Sequence, residues 1–233
     1  LPDCPALKEA TVPIRTAFSK ELQQVQDQML VMASMVDRAI DRSVEALKAR
    51  DLEESRKIIT ADLDINKMRF EIEELCIQII ATQQPLASDL RILVAILNII
   101  TDLERMGDHA EGIAKISLMI GDERLLKPLI DVPRMGEKAR DMLREALDAF
   151  VERDAEAAKR IANADDEVDA LYDQVYRELL TLMLYDPTII KRATNLLWVA
   201  HNLERIADRV TNICERVVFL VTGRMEETNV SKY

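Results

Sequence analysis

Two strings in this chain carry the same acids in the same places. Residues 101–112 read TDLERMGDHAEG and residues 201–212 read HNLERIADRVTN. Leu103, Glu104, Arg105 and Asp108 in the first match Leu203, Glu204, Arg205 and Asp208 in the second. A Glu and an Asp four residues apart share one face of a helix, so each string aims two carboxylates the same way. At 100° per residue, Leu93, Leu97, Ile100 and Glu104 fall on nearly one line, and Asp108 and Glu111 continue it. The acids thus stand at the edge of a core-facing stripe, where leucine would be the cheaper choice. Asp102 falls on the opposite face, where solvent is expected.

Each half also carries an earlier pair. Asp62 and Asn66 flank Ile65, and Asp165 and Asp169 flank Val168 at the same helical angles. A hairpin folded at Pro85 brings these pairs level: Asp62 and Asp108 each lie 23 residues from Pro85, and Asn66 and Glu104 each lie 19. In the second half Asp165 stands 21 residues before Asp186 and Asp208 stands 21 after Pro187, while Asp169 and Glu204 are each 17 from the same turn. Four oxygen-rich side chains at one level repel unless a cation joins them. Arg105 and Arg205 are one candidate and a metal ion is the other. Carboxylate and amide oxygens without thiolate suit iron, manganese, magnesium, calcium or zinc. Because carboxylates bridge, a multinuclear cluster is feasible. Against this stands the commoner fate of such acid pairs, a solvated helix face. Asn66 leaves the first set poorer in charge than the second.

The histidines do not extend the pattern. Three residues after Glu104 is Gly107 and after Glu204 is Ala207, so the Glu-x-x-His spacing of di-iron carboxylate bundles is absent. His109 and His201 read as surface or structural residues. Gly107 and Ala207 read as small residues that permit close helix approach. Trp198 points away from the core stripe and reads as a contact residue. No nucleophile–base pair, Gly-rich phosphate loop or basic patch appears, which gives no sign of an enzyme.

Long helices must position these groups. The 233 residues hold only five Gly and seven Pro, and aromatics make up 4%. Such a composition favours helix over pleated sheet. Helix one spans about Arg15 to Ala49, with Leu22, Val25, Met29, Met32, Val36 and Ala39 as its stripe. Asp51, with Glu54 three residues on, starts helix two, which runs to about Thr82. Gln84-Pro85 breaks it, and helix three continues to about Ile120. Helix four covers about Arg134 to Arg153. Asp154 caps helix five, which ends near Tyr185. Asp186-Pro187 opens helix six, and Gly223 closes it after Thr222.

Arg50-Asp51 matches Arg153-Asp154 at an offset of 103, and Glu104 matches Glu204 at an offset of 100. The fold expected is all-α: two tandem antiparallel three-helix bundles, with a single elongated six-helix bundle as the alternative. The expected divisions are a leader at 1–14, a first bundle at 15–120, a linker at 121–133, a second bundle at 134–223 and a tail at 224–233. The net charge of −11 argues against a nucleic-acid partner. Three scattered cysteines, Cys4, Cys76 and Cys214, support neither a disulfide framework nor a zinc site and fit a reducing cytoplasm. No apolar run is long enough to cross a membrane.

DLERMGDHA and NLERIADRV, one in each half of an all-helical chain, resemble the PhoU family, as does QQPLASDLRILVAILNIITDLERMGDHAEGIAK at 83–115. The likeness spans about Phe18 to Gly223. It implies a cytoplasmic, non-enzymatic regulator of phosphate homeostasis that restrains phosphate uptake and phosphate-regulon signalling. The partners implied are the ATPase subunit of a phosphate ABC transporter and a sensor histidine kinase, with a homodimer as the assembly and membrane contact only through partners. Some members hold multinuclear iron or zinc at E(D)xxxD motifs. Carried onto this chain, those motifs are Glu104 and Asp108, Glu204 and Asp208, and Asp165 and Asp169, with Asp62 and Asn66 an imperfect fit. A carboxylate-bundle storage or redox protein and a metal-free helical scaffold are the alternatives.

Overall fold

A computed structural model of the chain describes residues 11–226, with side chains from Phe18 onward. Positions 1–10 of the expected leader and 227–233 of the expected tail lie outside the described residues. Among the described residues all regular structure is helical. The elements are α1 (Thr11–Ala49), α2 (Leu52–Gln83), α3 (Ala87–Ile120), α4 (Asp131–Glu152), α5 (Ala155–Asn163), α6 (Asp165–Tyr185), a 3-10 turn (Pro187–Ile189) and α7 (Ile190–Thr222). Helices α1, α2 and α3 form one antiparallel bundle, and α4, α5/α6 and α7 form the other. Residues of both bundles belong to one continuous apolar core.

The turns repeat because their chemistry repeats. Arg50 and Arg153 both adopt the left-handed conformation, each with φ 56°. The next amide reaches back into the helix: Asp51 N–H donates to Ala46 O at 2.8 Å, and Asp154 N–H to Ala149 O at 2.9 Å. This is the Schellman closure, built on Arg where Gly is usual. The same Asp then caps the following helix, Asp51 accepting from Glu54 N–H and Asp154 from Glu156 and Ala157 N–H. Glu54 does not return the bond as a capping box would, because its carboxylate pairs with Arg42 on α1 at 2.5 Å. Since a Cβ disfavours the left-handed conformation, Arg153→Gly should stabilise the protein by about 0.5–1 kcal/mol. Urea denaturation checks this, and a loss of stability would show that the Arg153 side chain contributes more than its backbone costs.

Three expectations need correction. The stretch expected as one helix from Asp154 to Tyr185 is broken at Ala164, which separates α5 from α6. There Ala164 N–H donates to Ile161 O and Glu167 N–H to Ala164 O, each three residues back, so the turn tightens. Asn163, Asp165 and Asp166 favour this because their side chains compete with helical hydrogen bonding. Helices also start earlier than expected. Thr11–Ile14, placed in the leader, belong to α1, and α4 begins at Asp131, inside the expected 121–133 linker. Pro133 sits in the first turn of α4, where an amide has no partner to lose. The third correction is Asp102, which is buried rather than solvated.

Asp102 is buried because the halves pack through it. The pairing of α3 with α7 is the most extensive in the molecule. Across it, Asn212 Nδ2 donates to Asp102 Oδ1 at 3.1 Å and Arg209 stands at 3.5 Å. His109 Nδ1 lies 2.9 Å from Asn202 Oδ1. Asp102 and Asn202 are equivalent in the repeat, as are His109 and Arg209. The seam is therefore near-reciprocal, as expected across a twofold axis. On the other side of that axis α1 meets α4. Arg140 makes a forked pair with Asp37 at 2.9 and 3.1 Å and also reaches Asp41. Asp37 and Arg140 stand 103 residues apart, the repeat offset itself. Gly136 lets the backbones close, since a Cβ there would stand 3.1 Å from Val44 Cγ2.

Candidate metal centre

The α2–α3 hairpin carries the first carboxylate set. Asp62 on α2 is 8% exposed. Asn66, one turn on, donates its Nδ2 to Asp62 Oδ2 at 2.9 Å and so holds that carboxylate in place. Opposite, α3 supplies Glu104, Asp108 and Glu111. One oxygen each from Asp62, Asp108 and Glu111 lies within 4.8 Å of the others. Gly107 makes room for this approach, because a Cβ there would sit 3.1 Å from Asp62 Oδ1 and 3.3 Å from Ile65 Cδ1. Burial first, then the charges of Asp108, Glu111 and Glu104, push the Asp62 carboxyl up to about 6. Burial raises Glu104 and Asp108 as well, and neighbouring acids add to it. Arg69, Arg105 and Lys115 oppose this from the rim, Lys115 pairing with Glu111 at 2.5 Å.

The α6–α7 hairpin carries the second set. Asp165 opens α6 directly after the break at Ala164 and is 4% exposed. Its Oδ1 is buried without a hydrogen-bond partner. Burial, followed by Asp169, Asp208 and Glu204, pushes its carboxyl up to about 7. Asp208 is pushed up to about 6 by burial and then by Glu204, and Asp169 is raised by burial and then by Glu204. Arg205 lies against this set. It donates two bonds to Glu204, at 2.8 and 2.7 Å, and stands 2.7 Å from Asp208 Oδ2. Its counterpart Arg105 is exposed and lowers Glu104 and Asp108 through its charge. His201 lies 3.5 Å from Glu204, edge-on to Trp198 at 5.4 Å.

The structure thus brings Asp62 and Asn66 together with Glu104 and Asp108, and Asp165 and Asp169 together with Glu204 and Asp208. Glu111 belongs with the first set although its acid partner in sequence is three residues away, not four. Its signal was its place on the line through Glu104 and Asp108. Among the described residues the tightest trio is in the first set, and the second is partly neutralised by Arg205. The donors are all oxygen, and a buried carboxylate oxygen lacks a partner. Burial, with like charges held close adding to it, favours the protonated forms of Asp62, Glu104, Asp108, Asp165, Asp169 and Asp208. A divalent cation would replace those protons, so the residues fit a hard or borderline metal ion.

The family model for the PhoU domain matches residues 29–117 and 132–217. The chain is 38% identical over 216 residues to a phosphate-specific transport system accessory protein PhoU homolog of Clostridium acetobutylicum, covering 92% of this chain and 99% of the relative. It is 40% identical over 206 residues to the homolog from Aquifex aeolicus, covering 88% and 93%. The fold superposes on the crystal structure of PhoU from Pseudomonas aeruginosa with a TM-score of 0.85 at 37% identity, covering 89% of this chain and all of that one. The phosphate transport system regulatory protein PhoU from Streptococcus pneumoniae gives a TM-score of 0.84 at 34% identity, covering 90% and 99%.

Proposed function

The chain belongs to the PhoU family, and we propose that it is the accessory regulator of a phosphate-specific transport system, working in the cytoplasm. The observation that carries this reading is the likeness, along nearly its whole length, to accessory proteins named for that system. In this reading the protein restrains phosphate uptake and silences the phosphate regulon when phosphate is plentiful. It does so by contact with the transporter ATPase subunit and the sensor histidine kinase. No helix among the described residues is long and apolar enough to cross a membrane, so membrane contact runs through those partners. Deleting the gene in its host should derepress phosphate-responsive genes in phosphate-rich medium. Unchanged repression there, in a strain with no second copy of the gene, would sink the regulator reading.

The two carboxylate sets are proposed as metal sites, with iron or zinc as the ions and bridging carboxylates allowing more than one ion per set. The close trio Asp62, Asp108 and Glu111 and the unpartnered oxygen of Asp165 support this. When bound, the metal neutralises clustered charge. Asn66 would hold Asp62 toward it, and Arg205 would fix Glu204. Protein purified without chelator should carry stoichiometric metal by elemental analysis. Asp62→Ala with Asp108→Ala, and separately Glu204→Ala with Asp208→Ala, should each remove part of it and leave helical circular dichroism intact. Metal content unchanged in either pair would remove that set from the assignment.

A further inference from the structure

One donor beside the second carboxylate set is not an oxygen. His201 stands on α7 one turn nearer the Asp186-Pro187 turn than Glu204. At 100° per residue it falls about 60° from Glu204 and about 20° from Asp208. Tyr172 on α6 comes level with it, 14 residues before Asp186 as His201 is 14 after Pro187. The two rings lie 6.3 Å apart, centre to centre, and Trp198 meets the imidazole edge-on at 5.4 Å. Between these rings, His201 Nδ1 stands 3.5 Å from Glu204 Oε2. That is too long for a good hydrogen bond. It is the spacing of two ligands on one ion, because donors about 2.0–2.2 Å from a tetrahedral zinc stand about 3.3–3.6 Å apart. Arg205 donates to both Glu204 oxygens, yet each carboxylate oxygen keeps a second lone pair. Tyr172 does not compete as a ligand, because burial and then the Glu204 charge push its hydroxyl up and keep it protonated. The buried, unpartnered Asp165 Oδ1 belongs to the same set.

The first set has no such donor. At the repeat offsets His201 corresponds to Thr101, and Tyr172 to Arg69. The Thr101 hydroxyl donates to Leu97 O at 3.0 Å, and Arg69 puts a positive charge beside Glu104. The first set is extended in the opposite direction, by Glu111. Its counterpart Thr211 turns its hydroxyl onto Asp208 O at 2.7 Å. One set therefore gains a carboxylate and the other an imidazole. Carboxylates alone accept magnesium, calcium and manganese readily, whereas an imidazole favours zinc, iron and their neighbours.

We propose that His201 is a nitrogen ligand of the second set and makes that set select zinc or a similar transition ion over magnesium. This rests on the reading of the carboxylate sets as metal sites.

The full chain, stripped of metal and labelled with 15N in its imidazoles, tests this at pH 8, since it has two histidines, His109 and His201. Zinc should shift the Nδ1 resonance of His201 and move that of His109, held against Asn202 in the seam, far less. His201→Asn, which puts an amide oxygen where Nδ1 stood, assigns the signal, and circular dichroism checks its fold. Elemental analysis of the same samples counts the zinc. Trp198, the sole tryptophan, gives a second readout. Cobalt(II) held by His201 should quench its fluorescence, and magnesium at about 100-fold excess should not restore it. His201→Asn should weaken the quenching site at least about 10-fold, as loss of even an outer-shell partner does. Zinc bound with the His201 ring unmoved overturns the proposal and leaves the carboxylate sites standing. So does quenching that His201→Asn does not weaken, or that magnesium relieves. Protein that binds no zinc at all overturns both readings.

Discussion

Zinc added to chelator-stripped protein at pH 8 should raise the midpoint of thermal unfolding by roughly 5–15 °C, and by far less at pH 5. The size follows from mass action: ion at 100 to 1,000 times its dissociation constant stabilises by about 2.7–4.1 kcal/mol. The pH dependence follows from the carboxyls. Asp62 and Asp208 are pushed up to about 6 and Asp165 to about 7, all above the ordinary value near 4. The metal-free native state therefore holds protons that the unfolded chain has released. Stability from these groups is fully present below about pH 4 and is lost as pH rises through 6 to 7. Metal-free protein should accordingly melt lower at pH 8 than at pH 5, and zinc should reverse that order by taking the place of the protons. Differential scanning calorimetry at both pH values, with and without zinc, gives all four midpoints. Equal gains at the two pH values would show that zinc binds away from these carboxylates.

Gly107→Leu should cost about 1–3 kcal/mol and loosen the first carboxylate set. The added side chain would grow from a Cβ already 3.1 Å from Asp62 Oδ1 and 3.3 Å from Ile65 Cδ1. To relieve this, α2 must move away from α3, taking Asp62 from Asp108 and Glu111. Gly107→Ala should be close to neutral. Its tight contacts are offset by a helix propensity gain of about 0.8–1.0 kcal/mol, and the second repeat already holds Ala207 at the matching place. Urea unfolding of both variants, with zinc affinity measured in parallel, separates packing from site geometry. A leucine variant as stable as wild type, with zinc affinity intact, would mean that the hairpin does not need this close approach.

Much of the architecture was legible because it rests on local periodicity. The isoleucine stripe of α2, the paired Asp caps and the breaks at Pro85 and Asp186 all act within a few residues of themselves. Counting from the turns also brought the carboxylates level, because antiparallel helices advance at the same rise per residue. What could not be read depends on how the halves meet. A helical wheel shows which side of α3 faces its own bundle, but not that α7 covers another side, so Asp102 looked solvated. Whether Arg105 and Arg205 would act alike was equally hidden: identical strings left one exposed and the other bonded to Glu204. The break at Ala164 lay in a run of Asn and Asp that has no counterpart in α2, where Asp62 sits mid-helix.

The contact between Asp37 and Arg140 limits what this chain could have been built from. A homodimer of identical three-helix units would place the same residue type at both positions, so Asp would confront Asp, or Arg would confront Arg. Opposite charges can meet across that axis only when the two units are encoded separately and free to differ. The joined halves are therefore not interchangeable parts: a chain made of the first repeat twice would set acid against acid at its centre, and so would lose the forked pair that ties α1 to α4.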